Sequence, residues 1–195
     1  MEEPNQRLIP ILDAAERVFM RYGYRQSNME LLAQEAGLSR QGLYLFFRSK
    51  GAVFGAVIER IQHDSLQKAL DAGDKARRRG HSAPDIVTAQ IIVRANAFLE
   101  RLKESPHVAE LNEESNRQCP EIVQEYSSRF VAGIAATIDA EVKQGRAALP
   151  KGVPAKKAAQ LLVASARGLK LTNPAPTSAE FERDLGVIVS LFLHI

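Results

Sequence analysis

The chain has 195 residues, which leaves room for more than one function, and its formal net charge of +3 is mild, so any strongly basic surface must be local. A single cysteine, Cys119, excludes an internal disulfide framework and fits a reducing cytoplasm, and the absence of a long uncharged apolar run excludes a membrane span. The start, Met1-Glu2-Glu3-Pro4, is acidic rather than basic, which predicts no secretory signal and a cytoplasmic protein.

The first helix is expected to begin between Leu8 and Pro10, because proline is tolerated in an opening turn. Its apolar face is Ile11, Leu12, Ala15, Val18, Phe19 and Tyr22, and Gly23 ends it. Ser27, with Glu30 three residues on, predicts a capping box and a second helix from Asn28, with Met29, Leu32, Ala33 and Ala36 on one face. Gly37 supplies the left-handed residue that ends it. Leu38 folds back into a small core, and Ser39 caps a third helix on which Leu43 and Phe47 face inward while Arg40, Gln41 and Tyr44 stay outside. Two short helices around a glycine turn are a helix-turn-helix, whose second helix offers its first residues to the DNA major groove. Arg40 suits the two acceptors of guanine, and Gln41 the donor and acceptor of adenine. Residues 36–50 hold Arg40, Arg48 and Lys50 and no acid, so the basic character is concentrated here.

Ser49 caps a long fourth helix from Lys50, with Val53, Phe54, Val57, Ile58 and Ile61 continuing toward Leu70. Gly73 to Ala83, carrying Lys75, Arg77, Arg78 and Arg79, reads as a solvated loop. From Pro84, residues Ile86, Val87, Ile91, Ile92, Val93, Phe98, Leu99 and Leu102 are apolar on more than one face, as in a core helix. Pro106 opens a shorter helix through Ser115, and Pro120 a long one to about Gly145 with Ile122, Val123, Tyr126, Phe130, Ile134 and Ile138 inside. After Pro154, small residues (Ala158, Ala159, Ala164, Ser165, Gly168) alternate with Leu161, Leu162, Val163 and Leu169 and allow another helix to approach closely. The Thr177–Glu180 capping box opens a last helix bearing Phe181, Leu185, Ile188, Val189, Leu191, Phe192 and Leu193. This pair has more apolar surface than one partner can cover.

The run Gly23-Tyr24, Ser27-Asn28, Ala36-Gly37-Leu38-Ser39, Leu43-Tyr44-x-x-Phe47 and Ser49-Lys50, preceded by Ile11 to Phe19, resembles the DNA-binding domain of TetR-family transcriptional regulators over residues 9–60. The resemblance implies phosphate contacts from Tyr44, from Lys50 at the start of the fourth helix, and from Ser27 or Asn28. Two positions depart from the family: Gly42, in the DNA-facing helix, replaces Thr, Ser or Ala, and Phe46 replaces a His or Tyr that could bond phosphate. It also implies that the last two helices, residues 154–195, form a four-helix homodimer interface, so that two recognition helices read a near-palindromic operator in double-stranded DNA.

Polar residues within the apolar helices, Arg94, Asn96, Asn112, Asn116, Tyr126 and Arg129, are candidates to line a pocket for a small-molecule effector. Cys119 has no flanking Lys or His to activate it and reads as a small residue at a helix start. Glu110, Glu113 and Glu114 read as a solvated acidic face. Glu104-Ser105-Pro106-His107 has a di-iron spacing, but Pro106 breaks the helix and no second copy exists, and no phosphate loop, zinc motif or nucleophile elbow is found. The expectation is therefore an all-α protein of about nine helices, with no enzymatic activity, cofactor or metal. Residues 1–50 form a helix-turn-helix domain, and residues 51–195 a helical bundle for effector sensing and dimerisation. The expected function is a homodimeric regulator, a repressor released by its effector. The alternative is a helical small-molecule binding or scaffold protein whose helix-turn-helix has degenerated.

Overall fold

The computed structural model describes the backbone of residues 4–194 and the side chains of residues 8–97 and 100–194. It is all-α. The described helices are α1 (Pro4–Gln26), α2 (Met29–Glu35), α3 (Arg40–Tyr44), α4 (Lys50–Arg78), α5 (Ala83–Leu102), α6 (Val108–Gln118), α7 (Pro120–Lys143), α8 (Ala155–Lys170) and α9 (Ser178–Phe192). The expected core positions Phe98 and Leu99 lie outside the described side chains.

Packing divides the chain into two compact units, one of residues up to 63 together with 98–125, the other of 64–97 together with 126 onward. The units therefore do not follow chain order: α4, α5 and α7 each give residues to both.

In the first unit, Ile11, Leu12, Ala15, Val18 and Phe19 of α1 meet Leu32 of α2, Leu43 of α3 and Val53, Phe54, Val57 and Ile58 of α4 in one core. Phe54 packs edge-on against Phe19 at 5.1 Å and lies 4.7 Å from the Tyr24 ring, a clustering that aromatic quadrupoles favour. In the second unit, α8 packs along α9. Its buried residues include Ile86, Ile91, Phe130, Ile134, Ile138, Leu162, Phe181, Leu185 and Val189, largely the inner faces expected from spacing.

Several boundaries differ from the sequence reading. The first helix extends back to Pro4, so Pro10 lies within it and withholds one helical N–H. Gly23 does interrupt it, at φ 72° and ψ 174°, a conformation open essentially to glycine alone. The expected loop from Gly73 is helix as far as Arg78. There the glycine serves close packing rather than a turn: a Cβ at Gly73 would fall 2.4 Å from the side-chain nitrogen of Gln90 on α5. The chain turns only at Arg79–Ser82, with Gly80 at φ 75°. The Ser82 hydroxyl donates to Asp85 at 2.6 Å at the start of α5. α6 begins at Val108 rather than Pro106, because Ser105 holds the entry: its hydroxyl donates to the Met20 carbonyl at 2.7 Å and accepts from the His107 N–H at 3.1 Å. At the far end, Thr177 and Glu180 form the reciprocal capping box as expected.

Candidate nucleic-acid interface

The α2–α3 turn is built by backbone bonds that the sequence makes possible. Gly37 at φ 68° lets its own N–H reach the Gln34 carbonyl at 3.1 Å and the Leu38 N–H reach the Ala33 carbonyl at 2.9 Å, the paired bonds of a Schellman motif. The Ser39 hydroxyl then accepts from the Gly42 N–H at 3.0 Å and starts α3. A Cβ at Gly42 would lie 3.2 Å from that same hydroxyl, so the departure at this position relieves the cap. Leu43 is fully buried and Phe47 nearly so, which fixes the rotation of α3 about its axis. Arg40 and Gln41 are left exposed, as expected. The Arg40 guanidinium lies 5.8 Å from the centre of the Tyr44 ring, and a hydrogen bond with Tyr44 holds its pKa above the ordinary arginine range.

Three residues assigned to phosphate contact are placed differently from one another. Asn28, not Ser27, caps α2: its side-chain oxygen accepts from the N–H groups of Glu30 and Leu31, both at 3.0 Å, and α2 begins one residue later than expected. Ser27 is 2% exposed, its hydroxyl donating to the Gly23 carbonyl freed by the α1 break, so it stitches the scaffold instead of facing outward. Lys50 points inward as well. Its ammonium donates to the carbonyls of Tyr24 and Ser27, each at 2.8 Å, and stands 4.3 Å over the Tyr24 ring. The lysine thereby ties the start of α4 to the α1–α2 connection, which has carbonyls but no helix to receive them.

The acids of α6 also correct the sequence reading. Glu114 is fully buried: burial pushes its carboxyl up, but hydrogen bonds from Arg117, Gln118 and Arg25 together hold it below the usual carboxylate range. Glu110 accepts from the Arg25 N–H at 2.8 Å, while Glu113 is the exposed member of the group. α6 thus grips the end of α1 just ahead of α2 and α3. Sequence reasoning missed a further, half-buried acid, Glu16; its place at helical spacing between Leu12 and Phe19 on the apolar face of α1 was the available signal. It accepts from Arg60 at 2.7 Å and Arg101 at 2.6 Å, joining α1, α4 and α5.

The six candidate effector residues are divided between the two units. Asn112 and Asn116 lie exposed on α6 in the first unit, with the Asn116 amide donating to the Asn112 carbonyl at 2.8 Å. In the second unit, Arg94 donates to Ser65 at 2.7 Å beside the Phe130 ring, and Asn96 accepts from Lys170 at 2.9 Å. Tyr126 is buried, with the exposed Arg129 guanidinium 5.0 Å from its ring centre. An apolar pocket in the first unit, lined by Phe19, Phe54, Ile58, Leu102 and Leu111 around Glu16, includes none of the six. Cys119 is buried, and burial pushes its thiol up, away from reactivity.

Comparison with known proteins identifies this arrangement. The family profile described as bacterial regulatory proteins, tetR family, matches residues 11–57, the span from α1 through the first turns of α4. Over residues 11–57 the chain is similar to the regulators of the tetR family. The helix-turn-helix regulator YfiR of Bacillus subtilis is 37% identical over 67 residues, 34% of this chain and 33% of that protein. EthR of Mycolicibacterium smegmatis is 29% identical over 155 residues, covering 77% of this chain and 67% of that one. The chain thus spans about a third of the length of this Bacillus relative. Among solved structures, a TetR-family regulator from Mesorhizobium loti superposes over 100% of both chains with a TM-score of 0.73 at 19% identity. SmeT, the repressor of a Stenotrophomonas maltophilia multidrug efflux pump, matches 95% of this chain and 90% of its own with a TM-score of 0.63 at 22% identity. Those likenesses show a shared fold along nearly the whole chain. Among the described residues, no helix is long and apolar enough to cross a membrane.

Proposed function

We propose that this chain is a non-enzymatic, sequence-specific DNA-binding regulator that acts as a homodimer and represses transcription until a small-molecule effector releases it. The observation that carries the reading is the exposure of Arg40 and Gln41 on α3, held outward by the burial of Leu43 and Phe47 in a segment without acids. Such side chains suit the edges of guanine and adenine. Asn28 and Tyr44 are the exposed candidates for phosphate contact, with Lys50 setting the register between α1, α2 and α4.

Dimerisation is supported by α8 and α9. Leu161, Val187 and Leu191 stay exposed, Val187 at 58% and Leu191 at 66%, while Gly168 and Gly186 have open space where a Cβ would stand. An apolar face with small residues suits close packing against its own copy. Two recognition helices about 34–36 Å apart would then read two half-sites. SmeT is named a repressor, which supports repression here. An effector releases the DNA only through unequal affinity for two dimer states, one of which has α4 shifted and the recognition helices out of step with successive major grooves.

The test is an anisotropy titration of wild type and an Arg40→Ala/Gln41→Ala variant on DNA selected by the wild type and on unrelated DNA. The variant should lose on the order of 100-fold of its preference for the selected DNA. Equal preference in the two proteins overturns the reading and leaves a helical binding or scaffold protein.

A further inference from the structure

We propose that Leu45 is a specificity-determining residue that reads a thymine through its 5-methyl group; the inference rests on the DNA-binding reading above and names a further member of that site.

Leu45 follows the last residue of α3 and is 86% exposed. Its backbone is still helical, at φ −68° and ψ −27°, and its N–H bonds back to Gly42. It therefore stands four residues and one helical turn beyond Gln41, on the same side of the helix. Gln41 and Leu45 form one outward row, and Arg40 and Tyr44 the row beside it. A helix laid in the major groove with Gln41 on a base edge brings Leu45 to a neighbouring base pair, since one turn rises about 5.4 Å.

A leucine has no polar atom for a phosphate or a base acceptor. The apolar group that the major groove offers is the thymine methyl. A single exposed leucine on a surface needs no partner. Here, however, Tyr44 at 41%, the last residue of α3, and Leu45 at 86% and Phe46 at 37%, which follow it, form three successive exposed apolar or aromatic residues beside the proposed base readers. Charge decides which occupant fits. Arg40 and Arg48 flank the patch, both exposed, and residues 36–50 contain no acid, so the surface is drawn to a polyanion rather than to an apolar protein face.

The test starts from an operator selected by the full chain from a random double-stranded library. Each thymidine is then replaced in turn by deoxyuridine, which removes only the methyl. Wild type should bind roughly fourfold more weakly for each half-site that loses the critical methyl, the ratio expected for burying one such group. Leu45→Ala, which should fold normally given the exposure of Leu45, should bind the thymidine and deoxyuridine operators equally, with far-ultraviolet circular dichroism to confirm the fold. Wild type that ignores the change at every thymidine, or a Leu45→Ala protein that keeps the wild-type ratio, overturns the proposal. A library from which no sequence is enriched overturns the DNA reading itself, so the two failures are distinct.

Discussion

Two stretches of this chain are basic in sequence, residues 36–50 and residues 75–79, and the fold treats Arg77 of the second unlike the arginines of the first. In the second, Arg77 lies on continuous helix and donates to Asp74 at 2.8 Å and to Glu141 at 2.9 Å. In the first, Arg40 and Arg48 remain on the surface with no acid in the segment. A run of lysines and arginines therefore says little about polyanions until the acids that fold back onto it are known. The contrast also operates within the first stretch, where Lys50 is directed onto backbone carbonyls while Arg40 and Arg48 present their charge outward.

The largest expected effect belongs to the acid that receives Arg77. Glu141 is 1% exposed and receives Arg146 at 2.7 Å as well as Arg77. Glu141→Gln should destabilise the protein by about 2–3 kcal/mol in urea unfolding at neutral pH, the scale of charge-assisted bonds lost at a buried group. The same acid predicts a pH dependence. Hydrogen bonding by Arg146, reinforced by Arg77, holds its folded pKa below the usual carboxylate value against the opposing effect of burial. Its contribution is therefore fully present above about pH 4.5 and is lost as the pH falls through the lower folded value. Unfolding curves between pH 7 and pH 3 should show a shallower acid limb for Glu141→Gln than for wild type.

Next comes the inward lysine. Lys50→Ala removes the ammonium from the Ser27 carbonyl and leaves the Tyr24 carbonyl only the Ser27 N–H at 3.3 Å, and should cost about 1–2 kcal/mol of stability while leaving the salt dependence of DNA binding unchanged. A drop in the salt slope with unaltered stability would return Lys50 to phosphate contact. Gly37→Ala should cost about 1 kcal/mol in thermal unfolding, because alanine is strained at φ 68° although nothing lies within 4 Å of its Cβ. The smallest effect is expected at Arg48→Ala, which should lower the salt slope by about one and leave stability alone. An Arg78→Ala/Arg79→Ala variant should change neither, and a lowered slope there would erase the distinction between the two stretches.

Local signals explain what the sequence made legible. Gly37, Ser39, the Leu43–Phe47 pair and the Thr177–Glu180 box act over four or five residues, and each holds in the structure. The misread features depend on distant partners. Gly73 looked like a turn because Gln90 is 17 positions away, and Glu114 looked solvated because Arg25 lies 89 residues upstream. Ser27 and Asn28 are both good caps by composition; the broken helix at Gly23 decided between them by claiming the serine hydroxyl. Any effector site is illegible in sequence for the same reason, since polar residues on separate helices form a site only through tertiary packing.

The central claim is that the outward residues of α3 read a specific DNA sequence. It is tested most directly by titrating the full chain against the DNA flanking its own gene, at about 50 mM and 200 mM salt, with excess unrelated DNA as competitor. The account predicts tight binding that resists the competitor at both salt concentrations. Binding that is weak, is lost to the competitor and disappears at the higher salt would contradict it.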